Sequence, residues 1–260
     1  MSEGNKTRLL LLAAGAVLLG ATALASAESV ATGTVRMNYL GCNPGRAAWV
    51  TVNGTSEGAF LTGQYNLQLD PAWDPDGNAQ PGSGEGEDIY AAFEDENYTL
   101  GAFCADAYQE APPGWTEYDV YRPSDAPVGG PNNPDGMGPT KAKHLRQLFH
   151  YVVLGNEVAL ATPYEKANAD HAAAVQAAVW EIVFETDSTY DVANGAGLRL
   201  AEYWGSGWLD IANEWLGWLD EPTWTDPDLG LRVLANESRQ DYALAVPGLG
   251  AEPVPEPSAM

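Results

Sequence analysis

Two residue types in this chain can combine into covalent chemistry: cysteine and a buried primary amide. Cysteine occurs twice, as Cys42 and Cys104, and Gln176 supplies the amide. Gln176 lies in the segment HAAAVQAAVWEIVFET, which reads as a helix. At about 100° per residue it falls about 40° from Ala172 and about 20° from Val183, inside the apolar stripe. A primary amide buried there needs several hydrogen-bond partners, or it costs a few kcal/mol. One solution is a core glutamine satisfied by a strand end. The other consumes the amide. A cysteine thiolate pressed against the Gln side-chain carbonyl can expel ammonia and leave an internal thioester, which removes a buried donor and a free thiol together. The bond stores reactivity, because an amine arriving later can displace the sulfur and become attached. It requires close placement, shelter from water and a group to manage protons. The competing expectation is a Cys42–Cys104 disulfide, the default for two cysteines outside the cytosol.

The elements that must position these residues can be read along the chain. Val35–Leu40, Ala47–Val52 and Tyr65–Leu69 are short β-rich segments, and Asn53-Gly54 is a tight-turn signal. Asp70–Glu87, crowded with Pro, Gly, Asp and Asn, reads as a loop, as does Pro112–Pro139. Between them Tyr98–Tyr108 reads as the strand that carries Cys104. Helical periodicity begins at Lys141, with Leu145, Leu148, Phe149, Val152 and Val153 on one face and Gly155 as a C-cap. A second helix opens with a capping box at Thr162-Pro163-Tyr164-Glu165 and runs to about Glu185, carrying Gln176. A third, from about Ser206 to Leu219, turns Trp208, Ile211, Ala212, Trp215 and Trp218 or Leu219 inward. Strands near Gly230–Ala235 and Asp241–Val246 close the domain. The fold expected is α+β: an N-terminal antiparallel sheet or sandwich, a cluster of about three helices and a C-terminal β-hairpin.

The compartment follows from the N-terminus. Lys6 and Arg8 precede an apolar run from Leu9 to Leu24 that ends in Ala25-Ser26-Ala27, the pattern of a secretory signal peptide cleaved near Ala27. The expected organisation is a signal peptide over 1–27, one domain over 28–247 and a Pro-rich tail over 248–260. With 36 acidic against 12 basic residues, the net charge is −24. No basic patch is left to neutralise phosphates, which argues against nucleic-acid binding, and anionic lipid would be repelled. The acidic runs Asp70–Asp76 and Glu85–Glu96 could supply calcium oxygens, but Gly77 falls at the wrong position for a calcium loop, and a solvated loop fits better. His144, His150 and His171 lack zinc spacing. There is no nucleophile elbow, phosphate loop or dinucleotide fingerprint, so no cofactor is expected.

Phe103-Cys104-Ala105-Asp106 on a strand, followed some seventy residues later by Val175-Gln176-Ala177-Ala178-Val179-Trp180 on a helix, resembles the thioester domains of bacterial surface adhesins. The resemblance implies a cross-link between Cys104 and Gln176. It also implies that Trp180, one turn on, is a wall shielding the bond, and that Asp106 assists proton transfer unless its carboxylate is simply solvated. A second resemblance covers more of the chain. FCADAY, HAAAVQAAVWEIVFET, GSGWLDIANEWLGWL, SRQDYAL and VPEPS occur in this order in exported proteins of the PEP-CTERM sorting type. In that family a transmembrane helix and a basic cluster follow the last motif. Neither is present before Met260, so no membrane anchor is assigned.

The function expected is therefore an exported surface or extracellular-matrix protein that attaches covalently to amine-bearing targets through Cys104 and Gln176. It would not turn over, so it is not an enzyme in the usual sense. The alternative is a non-covalent structural or polysaccharide-binding matrix protein, with a Cys42–Cys104 disulfide and exposed members of the tryptophan-rich segment near the third helix stacking on sugar rings. A secreted hydrolase using paired carboxylates finds no positive sign beyond the abundance of acids.

Overall fold

The computed structural model describes residues 30–77, 80–111, 113–128, 136–152, 168–186, 189–219, 221, 230–247 and 249. The signal segment, the capping box at Thr162–Glu165, Gly155 and the VPEPS motif lie outside the described residues. Within them the fold is α+β, as expected, built on one antiparallel sheet of eight strands.

The first strand, β1 (Gly33–Val52), joins two of the expected segments into one ladder with β2 (Thr55–Leu69). Three irregularities interrupt its register with β2, and the two between Tyr39 and Gly41 and between Cys42 and Gly45 bend β1 at its middle without ending it. The turn between the strands is Asn53-Gly54, with φ of 49° and 79°, the left-handed pair that a tight hairpin turn requires.

The bend in β1 lets its two halves serve different neighbours. Its first half pairs with β5 (Trp115–Tyr121) and with β3 (Ser83–Gly84). Its second half pairs with β6 (Leu198–Glu202) on the edge opposite β2. β2 also pairs with β4 (Thr99–Cys104), which meets β8 (Arg239–Ala245), which meets β7 (Leu231–Asn236), which meets β5. The ring β1-β2-β4-β8-β7-β5 thus returns to β1, and closure leaves those six strands no free edge along their paired lengths. The C-terminal hairpin β7–β8 is the expected one.

Four helices accompany the sheet: α1 (Glu85–Ala92), α2 (Gly138–Leu148), α3 (Ala169–Phe184) and α4 (Trp208–Trp218). α3 packs against β1, β2 and β4 and against α2 and α4. Every residue from Ala172 to Phe184 is buried, so α3 is covered on all sides, which its almost unbroken apolar composition permits. Its N-cap is Asn168, whose side chain accepts a 3.0 Å bond from Asp170 N–H. The described helix that carries Gln176 therefore begins at Ala169. Beyond its C-terminus the Glu185 carboxylate accepts N–H bonds from Thr186, Ala196 and Gly197, pinning the chain that leads to β6. Gly197 is required there, because a Cβ would meet the Phe184 carbonyl oxygen at 2.1 Å.

Three expectations need correction. The loop read over Asp70–Glu87 ends early, because Glu85 begins α1 and anchors it through Arg232 and Thr32. The loop read over Pro112–Pro139 contains β5, whose alternation of exposed and buried residues was masked by flanking Pro and Gly. In α4, Trp208, Ala212, Trp215 and Leu216 face inward while Ile211 is only partly buried. Leu219, not the 39% exposed Trp218, completes the buried set.

Candidate functional site around Cys104

Cys104 is the last residue of β4 and is fully buried. On one side it pairs with Tyr242 of β8, and the next residue, Ala105, donates its N–H to Asp241 O at 2.8 Å. Neighbouring residues of an antiparallel strand direct their main-chain groups to opposite sides. The N–H and C=O of Cys104 therefore face the β2 side. The β2–β4 ladder has already stopped there, its final pair being Tyr65 and Ala102.

Gln176 fills the vacated position. Cys104 N–H donates to Gln176 Oε1 at 2.7 Å, and Gln176 Nε2 donates to Cys104 O at 2.7 Å. The carboxamide continues the ladder as a peptide group of β2 would. The structure thus brings the two expected cross-link residues into direct contact, 72 residues apart in sequence. Gln176 is fully buried, as its place on the apolar stripe predicted.

The sulfur has its own set of partners. Cys104 Sγ donates to the main-chain oxygen of Asp106 at 2.9 Å. It accepts from Trp180 Nε1 at 3.3 Å and from Gln240 Nε2 at 2.8 Å. Trp180, expected only as a wall, is fully buried and also aims its single N–H at the sulfur. Asp106 lies just past the end of β4 and is 2% exposed, which removes the solvated reading of its carboxylate. Its Oδ1 accepts from Tyr108 N–H at 2.7 Å. Below the site Tyr39, Tyr65, Tyr242 and Tyr118 form a chain of ring contacts with centroids 5.6 to 5.9 Å apart.

Burial dominates the electrostatics. It pushes the Cys104 thiol well above its ordinary range, against the Trp180 N–H, and the Asp106 carboxylate adds repulsion. Burial also raises Asp106 itself, against the bond from Tyr108 N–H. Asp241 is raised further by burial, opposed by Asn236 N–H and reinforced by Asp106. These two carboxylates border a cleft of about 410 Å³, together with Gln109, Asp119, Tyr121 and Glu237. The cleft reaches within two residues of the cysteine along β4 and its continuation.

Cys42 stands apart. It pairs with Tyr65 of β2, and β2 in turn pairs with β4, so a whole strand separates the two cysteines. Strands spaced about 4.8 Å apart put Cα atoms two strands away at roughly 10 Å, and a disulfide requires less than about 7 Å. Both thiols are free. The Cys42 thiol is pushed up to about 12 by burial.

The acidic runs are partly spent on ion pairs. Asp70 meets Arg36 at 3.4 Å, and Glu85 meets Arg232 at 2.6 Å and Arg122 at 3.4 Å. Among the described residues no group of three or more His, Cys, Asp and Glu is arranged to hold a metal ion.

Gln240 is the site residue that sequence reasoning passed over. The strand that carries it was expected to begin one residue later, at Asp241. A polar residue between Arg239 and Asp241 gives no period-2 signal of burial, yet Gln240 is 4% exposed. Its partner across the strands, the sulfur, is 136 residues away in sequence. No family model, curated protein or solved structure matches the chain.

Proposed function

We propose that this chain is an exported surface or matrix protein that closes a thioester between Cys104 Sγ and Gln176 Cδ, and attaches through it to amine-bearing targets. The observation that carries the reading is the pair of 2.7 Å bonds holding the Gln176 carboxamide against Cys104 in a fully buried setting. The sulfur attacks Cδ, and negative charge gathers on Oε1, where the Cys104 N–H already points. The carbon–nitrogen bond breaks, the thiol proton leaves with the nitrogen, and ammonia departs. Later a primary amine attacks the same carbon. An amide forms, and the sulfur takes up the amine's proton to return to a thiol. Asp106 is the proposed proton relay: it is two residues from the cysteine and buried, and its main-chain carbonyl accepts the thiol hydrogen at 2.9 Å. Nothing turns over, so the protein acts once, as an adhesive group and not as an enzyme.

The amine class fits the charge. With a net charge of −24, the chain draws cationic, lysine-like or polyamine targets and repels anionic ones. The cleft bordered by Asp106, Asp119, Glu237 and Asp241 carries the same sign to within two residues of the sulfur.

The test is the intact mass of the mature protein with and without methylamine. A mass lighter by one ammonia, rising by one methylamine on treatment, is the expected result. Cys104→Ala abolishes both changes and Cys42→Ala neither. A full-mass protein indifferent to methylamine would overturn the thioester and leave Gln176 as a glutamine that completes a strand ladder.

One observation favours a second reading, non-covalent polysaccharide binding. Trp49 and Tyr203 stack at 5.7 Å with planes 24° apart, and the adjoining Trp204 is 80% exposed. Exposed aromatic faces of this kind mark interaction surfaces. Retention on an insoluble polysaccharide that is lost in Trp204→Ala and kept in Cys104→Ala would establish it.

A further inference from the structure

We propose that Gln240 activates the Cys104 sulfur for closure onto Gln176, by donating its Nε2 hydrogen to the sulfur as negative charge collects there. The inference rests on the thioester reading and names a residue that reading does not require.

The sulfur is buried away from water, where a developing thiolate lacks the solvent donors that would stabilise it. Two side-chain N–H groups replace them. Trp180 Nε1 lies at 3.3 Å and Gln240 Nε2 at 2.8 Å, so the shorter contact belongs to Gln240. An amide can present either of its ends, and the surroundings select the N–H end. The Tyr242 hydroxyl donates to Gln240 Oε1 at 3.4 Å, which directs the oxygen away from the sulfur. The main chain of Gln240 is fixed as well, its N–H bonding Glu110 O at 3.3 Å in the segment that follows β4. The donor is therefore oriented before the reaction starts, the condition under which a hydrogen bond to a forming anion accelerates a step instead of merely following it.

The division of labour is clear. Cys104 N–H faces the charge that develops on Gln176 Oε1, while Gln240 and Trp180 face the charge that develops on sulfur. The same donors serve the reverse event. When an amine attacks, the sulfur leaves with the electron pair of the carbon–sulfur bond, and Gln240 stabilises it until the proton arrives. Gln240 should therefore govern both closure and opening.

The experiment starts from the closed wild-type protein. Ammonia at alkaline pH opens the thioester and regenerates Gln176 and the Cys104 thiol. After its removal, the return of the mass deficit is followed at a series of pH values. Gln240→Leu should slow closure by about 100-fold, the scale on which loss of one donor to a forming anion acts. The rise of rate with pH should move to higher pH, which a purely structural defect would not produce. Gln240→Asn, which keeps the amide but shortens the reach, separates the donor from the packing and should recover part of the rate. Thermal midpoints of all three proteins establish that the variants are folded. If Gln240→Leu is unfolded, the Asn variant carries the same test, with slowed closure and a shifted pH profile expected. Closure of a folded variant at the wild-type rate with an unmoved pH profile overturns the role. So does fragment mass spectrometry that places the cross-link on Gln240 instead of Gln176. A wild-type protein that never shows the ammonia deficit overturns the thioester itself, a failure distinguishable from the other two.

Discussion

Gln176 bonds to the Cys104 main chain as a neighbouring strand would, with Oε1 taking the N–H and Nε2 giving to the C=O, each at 2.7 Å. The same two bonds do two jobs. They satisfy main-chain groups that β2 leaves unpaired, and they hold an electrophilic carbon beside a buried thiol.

Gln176→Leu removes the one hydrogen-bond partner that each of these main-chain groups has among the described residues, while keeping the helix apolar. Each buried group left unsatisfied costs about 1–3 kcal/mol, so for the two a total loss of about 2–6 kcal/mol is expected in urea unfolding. Cys104→Ala leaves those bonds possible and should cost less. Equal losses for the two variants would mean that the ladder continuation contributes little.

Glu85 ties α1 to the barrel through Arg232, which is 3% exposed on its side chain. Glu85→Ala leaves that guanidinium buried without its partner, and a loss of about 3–5 kcal/mol is expected. Burial works to raise the Glu85 carboxyl, but bonds from Arg232, Thr32 and Arg122 and the Arg232 charge outweigh it and leave the group below its ordinary range. Its stabilisation is thus present above the unfolded carboxylate range and is lost as pH falls through the lowered folded value. Acid unfolding of the wild type, compared with Glu85→Gln, should show this contribution disappearing below about pH 4.

Asp241 shows the opposite sign. Burial raises its carboxyl, and the 2.9 Å bond it accepts from Asn236 N–H can equally be accepted by an asparagine oxygen. Asp241→Asn should therefore stabilise the protein at neutral pH, by about 1.4 kcal/mol for each unit by which the folded value exceeds the unfolded one. The gain is absent below about pH 4, grows as pH rises from the unfolded towards the folded value, and is constant above it. Paired unfolding curves at pH 3.5 and pH 7 check it; a gain of the same size at both would assign the effect to packing.

Cys42 is half-buried, with its thiol pushed up to about 12. The native protein at pH 7 should take up iodoacetamide at this residue at least tenfold more slowly than the denatured chain, since only the thiolate reacts. Cys42→Ser should leave closure of Cys104 onto Gln176 unchanged. Rapid native labelling at Cys42 would show that the strand around it opens.

Much of this arrangement was legible before the structure. The burial of Gln176 followed from its angle on the helix, the β1–β2 turn from Asn53-Gly54, and the α+β order from the change of periodicity near Lys141. What escaped was decided by tertiary partners. α1 begins inside a run rich in Pro, Gly and Asp because Glu85 finds Arg232, 147 residues away. β5 has a clean alternation from Trp115 to Tyr121, but only seven residues of it, hemmed by turn formers. β6 forms because β1 offers it the free edge of its second half. Gln240 could not be distinguished from any other polar strand residue until the sulfur lay beside it.

The closed ring also sets a timetable for the chain. β1 is made first, yet its pairings extend to β5 and to β6, where Val52 meets Leu198. The ring itself stays open until β8, the last of its strands along the chain, fits between β4 and β7. Contacts this distant in sequence carry a high loop-closure cost and fold slowly. A chain of this topology cannot become rigid as a barrel before its last ring strand docks. Because β8 also brings Gln240 to the sulfur, the cysteine receives its closest donor at the moment the barrel is sealed.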